Sequence, residues 1–97
     1  MQFLSIVRRK SEEFPPEAFT KELQVKEWGV IREFYMQGRV RQVWRRADGS
    51  GVVSLWEANS AEEVRAGFEK LPFAQAGMIE LEAVIALEPY PGLGAER

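Results

Sequence analysis

The sequence predicts an α+β fold, and three observations carry that expectation. Segments that read in turn as strand and helix follow the order β-α-β-β-α-β. The two central strands are joined by Ala47-Asp48-Gly49-Ser50, whose Asp-Gly pair is a strong hairpin signal. The last segment, Met78 to Leu87, alternates in hydropathy as a half-buried strand does. Two split β-α-β halves of this kind give a ferredoxin-like sandwich, a four-stranded antiparallel sheet with both helices on one face. The 97 residues suffice for one such domain, expected over 1–88, with 89–97 left as a tail or docking arm because Pro89, Pro91, Gly92 and Gly94 disfavour regular structure.

Each element has a local cause. Gln2 to Arg9 reads as a strand that ends in charge. Phe14-Pro15-Pro16-Glu17 announces a helix, since proline suits the first turn and an acid there suits the helix dipole. That helix is expected to run to about Gln37, with Gly38 as its left-handed stop. Arg39 to Arg46 and Gly51 to Ala58 are the hairpin strands, rich in Val, Trp and Leu. Ser60 and Glu63 have the spacing of a capping box, so a second helix follows and ends near Leu71-Pro72. In the final strand Ile79, Leu81, Ala83, Ile85 and Leu87 are expected on one side, with Glu80, Glu82, Val84 and Ala86 on the other. The sheet face away from the helices is bare in this scheme, and Phe3, Val7, Val43, Trp56 and Val84 are assigned to it. An identical sheet is the expected cover.

Composition narrows the chemistry. Neither cysteine nor histidine is present, which removes disulfides, thiolate metal sites, a cysteine nucleophile and the usual general base. Ser60 therefore has nothing to activate it and reads as a helix cap. A net charge of -2 offers no general attraction to nucleic acid or anionic membrane. The RNA recognition module shares this strand order, but Gly51-Val52-Val53-Ser54-Leu55-Trp56 lacks its basic and aromatic third-strand pattern. No nucleic-acid or membrane partner is expected, no apolar run approaches the ~20 residues of a membrane span, and a cytoplasmic location is the default. Gly49 and Gly51 sit in a strand hairpin and form no phosphate-binding motif.

The first helix carries the sharpest candidate. At about 100° per residue, Phe19, Leu23, Val30, Ile31 and Phe34 share one sector, and Glu27 points out between Ile31 and Phe34. A carboxylate placed there should be buried, should hold its proton more tightly and can act as a general base. Its plainer role is an ion pair with an arginine of the sheet. Arg41 and Arg45 share a strand side with Arg39 in line, so they can clamp a substrate carboxylate or pair with Glu57, Glu80 or Glu82. Trp44 and Trp56 can wall a pocket for a small ring or simply fill the core. Trp28 and Tyr35 lie opposite the apolar sector, which suggests a subunit contact.

From Gly38 onward the chain resembles muconolactone isomerase and its relatives, of the dimeric α+β barrel group. The resemblance rests on Gly38, Arg41, Trp44 and Arg45 in GRVRQVWRR, Ser54 and Trp56-Glu57 in VVSLWEA, Ser60, Leu71-Pro72-Phe73, and Ile79-Glu80-Leu81 in MIELEAV. It implies a homodimer or higher oligomer of barrel dimers and a cofactor-free isomerisation that shifts a double bond within a small unsaturated lactone. It also implies that a glutamate of the first helix, aligned with Glu27, is the acid or base. Arg41 is then the expected anchor for the carboxylate of such a lactone, with Trp44, Arg45, Trp56 and Glu80 as the other expected substrate contacts and no metal. The alternative is a non-catalytic dimeric barrel that binds a small apolar acid or serves as an assembly unit. Whether Glu27 reaches an open cavity separates the two.

Overall fold

The computed structural model describes residues 1–92. The chain runs β1 (Gln2–Arg9), α1 (Lys21–Met36), β2 (Val40–Arg45), β3 (Gly51–Glu57), α2 (Ala61–Phe68), the one-turn α3 (Pro72–Gln75) and β4 (Ile79–Leu87). The four strands form one antiparallel sheet in the order β2-β3-β1-β4, as two split β-α-β halves require. Phe34 of α1 and Val64 of α2 join Phe3, Val40 and Trp56 in one buried cluster, so both longer helices cover the same sheet face. Of the tail expected at 89–97, residues 89–92 carry neither helix nor strand and 93–97 lie outside the described residues.

The first helix starts later than its prolines suggest. Pro16–Ala18 forms a separate 3-10 turn, and α1 begins only after Thr20, whose Oγ1 accepts the Leu23 N–H at 3.2 Å. Phe19 is thereby released from the helix and turns inward against Phe73, edge to face at 5.2 Å. The other end follows expectation, since Gly38 takes φ 76° just beyond the last helical turn. The second helix is also capped as its sequence requires, because Ser60 Oγ accepts the Glu63 N–H at 3.2 Å while the Glu63 carboxylate accepts the Asn59 N–H at 3.1 Å. The hairpin closes through Gly49 N–H to Arg46 C=O at 2.9 Å, with the Asp48 carboxylate holding the Ser50 N–H at 2.9 Å.

Two irregularities reset the strand faces. On β4 the register with β1 shifts between the pairs Ile6–Ala83 and Val7–Leu81, and on β2 the register with β3 shifts between Val40–Trp56 and Gln42–Leu55. The extra residue on each strand reverses the alternation, so Val84 and Ile79 pack on the core together while Ile85 projects to the open face. The assignment of Phe3, Val7, Val43, Trp56 and Val84 to the bare face is therefore corrected: Phe3, Val7 and Trp56 are buried, and Val43 and Val84 pack beneath the helices. The open face instead holds Leu4, Ile6, Val53 and Leu55, flanked by Trp44 and Ile85 on the edge strands. It is apolar all the same.

Candidate active site

A cavity of about 380 Å³ lies between the helix-covered face of the sheet, α1 and the α2–α3 segment. Its walls are mainly apolar, with Val7, Ile31, Phe34, Val43, Trp56 and Phe73 among them, and its size suits a small ring. Trp56 forms a fixed wall, because it is 5 % exposed and its indole N–H donates to Ser5 Oγ at 3.0 Å. It packs against Phe34 with ring centroids 5.5 Å apart.

Glu27 lines this cavity and is 5 % exposed. Its Oε1 accepts the backbone N–H of Phe73 at 2.9 Å. That donor exists because Leu71-Pro72-Phe73 turns into α3 with proline in its first turn, leaving the Phe73 N–H unclaimed by the short helix. No lysine or arginine among the described residues forms a salt bridge with Glu27. Burial consequently dominates, and the carboxyl pKa rises from 4.5 to about 7, with the Phe73 hydrogen bond holding it back from a larger rise. A carboxyl poised there can both take and return a proton near neutrality.

The other residues singled out from the sequence divide. Trp56 and Arg45 line the cavity with Glu27, Arg45 on an exposed stretch of β2 near the hairpin. Arg41, Trp44 and Glu80 do not. The bulge at the start of β2 falls at Arg41, which is exposed and outside the lining, whereas Arg45 beyond it lines the cavity. Arg39 lies over the Phe34 ring at 4.6 Å. Trp44 stands opposite Val53 on the open face, 49 % exposed. Glu80 is 3.4 Å from Arg8, which also pairs with Glu12 at 2.9 Å. The acids assigned as partners of Arg41 and Arg45 are thus taken by others, with Glu82 on Arg46 at 2.8 Å and Glu57 on the N-terminal amine at 3.0 Å. Trp28 is 53 % exposed yet reaches the cavity wall.

Among the lining residues not assigned to the site from the sequence are Arg9, Phe19 and Phe73. Arg9 shares the parity of Phe3, Ser5 and Val7 on β1, and that parity was its signal. Its guanidinium carbon sits 3.9 Å from the centre of the Phe19 ring. Among the described residues no group of three or more acidic side chains converges in a way that could hold a metal ion, and no helix is long and apolar enough to cross a membrane.

The family profile described as Muconolactone delta-isomerase matches residues 1–92. The chain belongs to the muconolactone delta-isomerase family. The solved structure of muconolactone isomerase is 21% identical over 95% of this chain and 93% of its own length, with a TM-score of 0.74. A second similar structure is 5-chloro-2-hydroxyhydroquinone dehydrochlorinase from Burkholderia phenoliruptrix AC1100 in complex with 2,5-dihydroxybenzoquinone. It is 20% identical over 96% of this chain and 97% of that one, with a TM-score of 0.55. At such identities these likenesses speak for the fold alone. No curated protein sequence matches the chain.

Proposed function

We propose that this member of the muconolactone delta-isomerase family moves a carbon–carbon double bond within a small unsaturated lactone, using Glu27 as acid and base and no cofactor. The observation that carries this reading is a carboxyl buried on an apolar cavity, held by one backbone N–H and free of any salt bridge to the described residues. An ionised Glu27 removes a proton from a ring carbon whose C–H is acidified by conjugation with the lactone carbonyl. The electron pair left behind spreads through the π system onto the carbonyl oxygen. Neutral Glu27 then returns the proton to a different carbon of that system, so the double bond moves and nothing is consumed. The Phe73 N–H fixes one carboxyl oxygen and leaves the other for transfer, while Trp56 offers a flat wall and Arg45 a cation near the hairpin.

The test is solvent deuterium incorporation into muconolactone and a small panel of unsaturated lactones, followed by NMR, for the wild type and Glu27→Gln. Exchange that falls by roughly a hundredfold or more in the variant supports the assignment. Exchange that survives the substitution removes Glu27 from the role, and no exchange with any lactone favours the binding or assembly alternative. Because the ionised form is the base, kcat/KM is expected to rise with pH around a midpoint near Glu27's value of about 7.

The apolar open face of the sheet supports a homodimer in which two copies pack sheet to sheet, each keeping its own helices outside.

A further inference from the structure

We propose that Arg9 is the residue that holds the carboxylate arm of such a lactone, an inference that rests on reading the Glu27 cavity as the substrate site. Among the described residues, the neighbouring arginines are engaged elsewhere or differently placed. Arg8 is shared by Glu12 and Glu80, Arg46 is paired with Glu82, Arg39 covers Phe34, and Arg45 is exposed. Arg9 faces the cavity without a salt bridge to any described residue, and its Nε is buried without a hydrogen-bond partner. A guanidinium in a cavity wall whose buried Nε–H has no partner is a site for an anion.

Its placement is built. Stacking on Phe19 at 3.9 Å fixes the plane of the fork, Phe19 meets Phe73 edge to face, and the Phe73 N–H holds Glu27. Arg9 and Glu27 are therefore linked to one aromatic pair, Arg9 through the Phe19 ring and Glu27 through the Phe73 N–H, without forming a salt bridge to each other. A ring lying between them along Val7 and Trp56 places a carboxylate arm in the fork, where two parallel N–H···O bonds are possible, and its reacting carbon toward Glu27. The same pairing shields Glu27 from the ligand's negative charge.

The decisive experiment uses a saturated butanolide with a carboxymethyl arm, which cannot isomerise, and its methyl ester, titrated by calorimetry. The wild type is expected to bind the acid about tenfold or more tightly than the ester, in keeping with a charge-assisted pair. In Arg9→Gln the two affinities are expected to converge, while Arg41→Gln keeps the preference. Equal or absent binding of acid and ester by the wild type overturns the proposal, as does a preference that persists in Arg9→Gln or is lost through Arg45→Gln instead. If Arg9→Gln does not fold, Arg9→Lys serves, since it keeps the charge without the planar fork. Weaker acid binding with the ester unchanged is then expected, and unchanged acid binding overturns the assignment. The readout needs no turnover, so acid preference without deuterium exchange keeps Arg9 and rejects the isomerase, and exchange without acid preference does the reverse.

Discussion

Glu27 sets stability and activity against each other over the same pH range. Its folded-state pKa lies above the ordinary value, so the native protein binds a proton that the unfolded chain gives up between pH 4.5 and about 7. The native state is favoured by that proton below this window and loses the advantage as pH rises through it. The rise corresponds to on the order of 3 kcal/mol at full ionisation. Denaturant unfolding at pH 4.5, 6 and 8 is expected to show the wild type losing stability relative to Glu27→Gln, which has no charge to bury. A constant difference between the two proteins across that range would mean that the carboxyl is not desolvated. The position of this residue was legible because helical geometry alone puts residue 27 on the buried stripe of Leu23, Ile31 and Phe34. Its single hydrogen bond was not, because the donor comes from Phe73, distant in sequence and presented by the α3 turn.

At the scale of elements, the packing of α2 on the sheet depends on Gly67. A side-chain carbon at that position would lie 2.7 Å from the six-membered ring of Trp56, well inside contact distance. Trp56 cannot swing aside freely, since Ser5 Oγ holds its indole N–H and Phe34 backs its ring. Gly67→Ala gains about 1 kcal/mol of helix propensity but must overpack this contact, which costs typically ~1–3 kcal/mol. Net destabilisation with a shifted Trp fluorescence spectrum is expected, and a more stable variant would show that α2 can move. Element order, the Asp48-Gly49 hairpin and the Ser60 cap were all legible because each is encoded within a few adjacent residues. The two bulges were not. Ile79, Leu81 and Ala83 are apolar, and so are Val84 and Ala86, so the hydropathy of β4 accommodates an inserted residue without a visible break. One such insertion on β2 separated Arg41 from the cavity, and the Thr20 cap moved Phe19 from helix to cavity wall.

The whole molecule presents two opposite sides of one sheet with different work to do. The cavity lies on the helix side, whereas Leu4, Leu55, Ile6, Val53 and Ile85 form contiguous cross-strand pairs on the open side. Ile85 at 43 % exposure and Trp44 at 49 % stand where water must otherwise cover large apolar surfaces. A second copy meeting this face removes that surface, and light scattering after gel filtration is expected to give the mass of a dimer or a multiple of it. Ile85→Glu places a charge on an edge strand at the face without touching the cavity lining, so it should shift the protein toward monomer while leaving the monomer folded. A wild type that is monomeric at roughly 10 μM, well above the Kd expected of a stable homodimer, would remove the dimer from the proposal. The same variant decides whether the site is complete within one chain. Because every named cavity group comes from the helix side, the Ile85→Glu monomer is expected to bind the butanolide acid as the wild type does. Loss of binding together with loss of the dimer would mean that the partner copy shapes the cavity through the sheet.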